Sequence, residues 1–219
     1  MRILSVLLTL ACLTPSGFAQ GEARQAERMR YQACIARTGE DPGAALQEAQ
    51  TWRIEGGGWP AEVCEAQAFI ALGDHAVGAA ILEELAGERR PGMVAEERVD
   101  FLTLAAESRA AIGETGRALA NYDAALAIDP SAILTRAGRA GLNRDLEDWP
   151  ALGRDAEDLV RRVPGLATGW YLRGVFRLET GDLDGAWADM QAARERAPDR
   201  IDILVLRGRI NEARRLEGG

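Results

Sequence analysis

Along most of the chain, apolar residues recur three and four positions apart in runs of helical length, separated by Gly, Pro and Asp. That spacing predicts a succession of amphipathic helices. Pro130, Pro164 and Pro198 are each 34 residues apart, and each follows a run that it would terminate. Aligning on them makes columns. Ala118, Leu152 and Ala186 share one, and Tyr122, Ala156 and Met190 the next. Ala125, Leu159 and Ala193 form a third, and Ala106, Ala140 and Gly174 line up in the preceding run. Gly113-Glu114 stands where Gly181-Asp182 stands two periods later.

These columns resemble the tetratricopeptide repeat (TPR) signature, in which small residues let two antiparallel helices approach, large ones fill the gaps between hairpins, and Pro ends each unit. The unit 167–200 matches it through Trp170, Gly174, Gly181-Asp182, Ala186, Ala193 and Pro198, and the unit 99–132 through Leu102, Ala106, Gly113, Ala118, Tyr122, Ala125 and Pro130. The unit 133–166 departs from it at Leu152, and Trp149-Pro150 opens its second helix. Upstream, Gly73-Asp74, Gly78, Leu82 and Leu85 place a unit at about 59–92, with a turn at Arg89-Arg90-Pro91-Gly92. Asp41-Pro42, Ala45, Ala49 and Trp52 place another at about 26–58, closed by Gly56-Gly57-Gly58. Residues 201–217 carry Leu204 and Gly208 at first-helix positions, with no second helix following, and read as a cap. The resemblance implies an all-α TPR-type solenoid of about five helical hairpins plus a C-terminal capping helix.

Met1-Arg2, the apolar run Ile3–Leu13, the break at Pro15-Ser16-Gly17 and the small residues Gly17 and Ala19 have the three-part form of a signal peptide at 1–19, cut before Gln20. The expected location is exported and periplasmic, with lipid anchoring at Cys12 a minority alternative because Thr9 stands where a lipoprotein box has Leu. Removal of 1–19 leaves two cysteines, Cys34 and Cys64, which in an exported protein read as a disulfide. No other apolar run approaches a membrane span, so the mature chain is expected to have none.

The basic residues are all Arg, which excludes Schiff-base and P-loop chemistry. A net charge of −8 argues against a nucleic-acid partner. The charge is uneven: residues 20–130 hold 10 Arg and 19 acids, and residues 131–219 hold 15 of each. The second half is expected to display Arg136, Arg139, Arg144, Arg173, Arg177, Arg207 and Arg209. His75 is alone in a turn and no metal-ligand spacing accompanies it, so neither a metal nor a cofactor is expected. The adjacent pairs Glu83-Glu84 and Glu96-Glu97 read as solvated faces. No residue set for enzymatic activity emerges.

The resemblance implies a non-catalytic scaffold or adaptor of the bacterial cell envelope, with a protein or peptide partner on the concave surface of the first helices. The partner-binding residues expected there are Leu134, Arg144, Tyr171, Val175, Leu178 and Arg209. The alternatives are an accessory or activator subunit of a cell-wall enzyme and a self-assembling solenoid.

Overall fold

A computed structural model describes residues 16–88 and 90–217. The apolar run 3–13, Cys12 and Arg89 therefore lie outside the described residues. Within them the chain forms eleven helices and no strand. Helices α1 (Ser16–Glu40) and α2 (Pro42–Ile54) make the first hairpin, α3 (Gly58–Ala71) and α4 (His75–Gly87) the second, and α5 (Ala95–Ala111) and α6 (Thr115–Ile128) the third. The fourth is α7 (Ile133–Asp145) with α8 (Trp149–Arg162), and the fifth α9 (Ala167–Glu179) with α10 (Leu183–Arg196). Helix α11 (Ile201–Glu217) closes the array. Neighbouring helices pack in chain order, giving an all-α solenoid.

Local chemistry sets the helix boundaries. Asp41, Asp148 and Asp182 each accept a hydrogen bond from the backbone N–H three residues on, at 3.0, 3.0 and 2.9 Å. Pro lies in the first turn of α2 and of α8, where no N–H is missed. Helix α5 begins before Val99, because the Glu97 carboxylate accepts from the Val94 N–H and caps the extra turn. Gly58 starts α3 instead of closing the preceding unit.

Between the helices of a hairpin the backbone turns left-handed, at Gly73 (φ 91°), Gly113 (77°) and Gly181 (83°). The corresponding position in the fourth hairpin is Glu147, at φ 57°. A residue with a Cβ is strained there. Glu147→Gly is expected to raise stability by about 1 kcal/mol, seen as a higher urea midpoint with unchanged helicity.

The small-residue columns sit at the closest helix approaches. A Cβ on Gly78 would lie 2.6 Å from the Ala66 carbonyl oxygen and 2.5 Å from Ile70 Cγ1. Gly78→Ala must therefore push α3 and α4 apart, and it is expected to cost roughly 1–3 kcal/mol in urea unfolding. Ala106, Ala118, Ala140 and Ala186 are completely buried. In the fourth hairpin Leu152 is fully buried as well, in one core with Ala140, so the small partner there is on α7.

One apolar core runs through α7–α11, centred on Leu159, Leu172, Met190 and Leu206, and a second spans α3–α6 around Leu82, Leu85 and Phe101. The first hairpin has little of either. Its interior is Cys34, Ala45, Ala49 and Trp52, with Arg30 stacked 5.0 Å from the Trp52 ring centroid. Cys34 of α1 and Cys64 of α3 are bonded, with Cα atoms 6.1 Å apart, fastening the poorest-packed hairpin to its neighbour.

Candidate partner-binding face

Because each hairpin stacks on the last in the same register, α5, α7, α9 and α11 touch in sequence and share one face. Hydrogen bonds cross it: the Thr103 and Thr135 hydroxyls are 2.8 Å apart, and Arg200 Nη1 donates to Thr168 Oγ1 at 2.8 Å. Leu134, in the first turn of α7, is 80% exposed and is among the most exposed aliphatic side chains of the described residues. Tyr171, on α9, is half-buried; its hydroxyl accepts from Arg144 Nη1 of α7 at 3.4 Å, and the Arg200 guanidinium lies 5.4 Å from the ring centroid. Leu178 and Arg209 meet at the far end, where a shallow apolar cavity between α9 and α11 also includes Leu216.

Val175 does not belong to this surface. It is 2% exposed and part of the α7–α11 core with Leu172 and Leu206, because α11 covers α9 at that turn. The capping helix reaches Val175 but leaves Leu134 open. Of the cap's three leucines, Leu206 is buried, while Leu204 and Leu216 remain exposed.

The arginines are arranged differently from the sequence expectation. Arg144 is paired with Asp145 at 2.7 Å and Arg209 with Glu179, so neither presents a free charge. Arg139 Nε and Nη2 donate to Asp155 at 2.9 and 2.7 Å, and Arg173 makes the same fork to Asp189, also at 2.9 and 2.7 Å. Arg136 reaches Asp158 and Arg177 reaches Asp189. Four of the supposedly displayed arginines therefore tie first helices to second helices. Their partners are legible only as a repeat: Arg139 and Arg173 are one period apart, as are Asp155 and Asp189.

The free charge of the face is acidic. Asp100, one period before Leu134, and Glu107 make no ion pair among the described residues. Burial, with Glu96 and Glu97 adding repulsion, raises the Asp100 carboxyl above the ordinary range, and burial raises Glu107. Burial first and Glu107 second push the Tyr122 phenol up to about 12. Tyr122 is itself pressed against α7 at Gly138, where a Cβ would come within 2.6 Å of its hydroxyl.

Glu83 is not on a solvated face. It accepts from Arg109 Nε and Nη2 at 2.9 and 2.7 Å and from Asn121 Nδ2 at 2.8 Å, joining α4, α5 and α6. Arg109 is all but sealed, its side chain 3% exposed, so its charge requires this partner. His75, at the start of α4, is half-buried, with Nδ1 enclosed and unbonded.

A cavity of about 660 Å³ between α6, α7 and α8 is lined by Asp123, Arg136, Arg139, Asp155 and Asp158 among others. These charges already pair across it, and none of its lining residues is a Ser, Thr, Cys or His nucleophile. Among the described residues no three His, Cys, Asp or Glu side chains converge as a metal site. No described helix is long and apolar enough to cross a membrane.

Neither a protein-family model nor a curated protein matches the sequence. Solved structures do match. The TPR protein YrrB, described as having an unusual peptide-binding site, superposes with a TM-score of 0.63 at 13% identity, covering 88% of this chain and 98% of YrrB. A tetratricopeptide repeat protein from Parabacteroides merdae gives 0.62 at 18% identity over 70% of this chain, which spans 59% of that protein. A thermophilic TPR protein of Thermus thermophilus gives 0.56 at 17% identity, covering 85% and 98%. The chain has the TPR fold.

Proposed function

We propose that this protein is a non-catalytic interaction scaffold that binds a segment of another protein across the first helices of its last hairpins. The observation that carries this reading is the exposure of Leu134 on α7, a first helix packed beside α9 and its half-buried Tyr171. The unpaired carboxylates Asp100 and Glu107 set the polarity of the ligand: a segment with an apolar side chain for Leu134 and Tyr171 and a basic one toward α5. The peptide-binding site described for YrrB, on the same fold, supports a peptide-sized ligand. The cysteine pair and the apolar N-terminal run support an exported protein of the cell envelope.

Leu134→Asp and Tyr171→Ala variants should keep the helical content and lose the partners recovered by the wild type. Each loss should be about tenfold in affinity or more, as for a hot-spot side chain. Folded variants that retain the same partners at the same affinity would refute the site. The pH dependence has a definite sign. The basic segment needs Asp100 and Glu107 ionised, so acidification through their raised values should weaken binding, and the Asp100→Asn, Glu107→Gln double variant should lose this dependence.

A further inference from the structure

Helix α11 repeats the register of α7 and α9. Arg207 follows Arg139 and Arg173 at one period each, Gly208 follows Ala140 and Gly174, and Leu204 follows Trp170. In both complete hairpins the arginine is met by an aspartate from the second helix: Asp155 on α8 and Asp189 on α10. The second helix also lies directly across the small residue. A Cβ on Gly174 would stand 3.4 Å from Asp189 Cβ and 3.5 Å from the Ala186 carbonyl oxygen.

Among the described residues, the same positions on α11 have no counterpart. A Cβ on Gly208 would meet nothing within 4 Å. The Arg207 guanidinium makes no hydrogen bond or ion pair among the described residues, although Arg200, Arg209, Arg214 and Arg215 around it are all paired. Leu204 is 39% exposed, and Ile201 and Val205 beside it are exposed as well. The helix cannot turn this stripe inward, because its opposite side buries Ile203, Leu206 and Ile210.

We infer that α11 is a docking surface for an acidic amphipathic helix of another protein, seated as α8 and α10 sit in their own hairpins. Such a helix carries a small residue across Gly208, an Asp three positions later on Arg207, and an apolar residue next to it against Leu204. Ala186, Asp189 and Met190 show this spacing on α10. Charge chooses the occupant. A symmetric pairing of two copies through α11 offers Arg207 no free aspartate, because Asp202, the one aspartate of this helix, is held by Arg200. The chain's own helices with the required aspartate, α8 and α10, are already spent on Arg139 and Arg173. A different polypeptide with a free aspartate forms the charge-assisted fork that Arg207 lacks. Gly208 also lines the cavity with Leu178 and Arg209, but Leu134 and Tyr171 take no part in this surface, so variants at Arg207 and at Leu134 test the two sites separately.

The test uses the full chain and a fluorescent, helix-stapled synthetic peptide with the sequence of residues 183–196 as the probe. Anisotropy should show saturable binding to the wild type. Arg207→Glu, Arg207→Gln and Gly208→Leu should each weaken it about tenfold or more without loss of helical content or of stability. Arg207 makes no hydrogen bond or ion pair among the described residues, a Cβ on Gly208 meets nothing, and Leu is the better helix former there. A peptide carrying Asp189→Arg should bind Arg207→Glu with the affinity restored. Absence of binding to the wild type, or equal binding to all the variants, as when the peptide merely exchanges with the chain's own α10, would overturn the inference.

Discussion

Reducing the Cys34–Cys64 bond, or replacing both cysteines with Ser, should lower the stability of the N-terminal end by roughly 3–4 kcal/mol in the chain-entropy account of a loop of this size. The sequence separation is 30 residues. The hairpin it closes has few alternatives, because its interior is mostly alanine and a single Trp. Apolar stacking along the rest of the array continues without it, so the loss should be local. Hydrogen exchange should accelerate in α1 and α2 under reduction, while α7–α10 stay protected. An oxidised and a reduced sample with the same urea profile and the same exchange pattern would show that the bond has no stabilising role. The same experiment bears on location, since a protein that needs this bond is suited to an oxidising compartment.

Glu83→Ala should cost about 2–3 kcal/mol, below the roughly 3–5 kcal/mol for leaving a buried charge with no partner, because Arg109 keeps Glu114. The substitution strands the sealed guanidinium of Arg109, leaving it only Glu114, and also unpairs Asn121. The hydrogen bond from Arg109 is the largest cause holding the Glu83 carboxyl below its ordinary value of 4.5. Its contribution is therefore complete above that value and disappears as the pH falls through the lowered one. The wild type should lose stability over that acid range, and Glu83→Gln should show a flatter profile there. A Glu83→Ala protein as stable as the wild type would mean that Arg109 finds solvent or another partner.

The second half of the array was legible in the sequence because three prolines and their small-residue columns repeat at one period. What was not legible depended on neighbours that periodicity does not name. Val175 occupies a groove-facing column, yet α11 covers it. Glu83 stands next to Glu84 in an unremarkable acidic pair, and only the packing of α4 on α5 brings Arg109 to it. The inward arginines were readable in principle, since Arg139 with Asp155 and Arg173 with Asp189 share both their period and their internal spacing. Glu147 breaks the turn-glycine column, and its strain appears only in the backbone angle. Leu134 stays exposed where Val175 does not.

The most direct test of the scaffold reading is hydrogen exchange on the purified protein, free and saturated with the partner recovered through the Leu134 face. Binding there should slow exchange in α5, α7 and α9, and leave α4, α6 and α8 as they are in the free protein. Protection confined to the second helices, or to α1 and α2, would place the partner elsewhere and contradict the account.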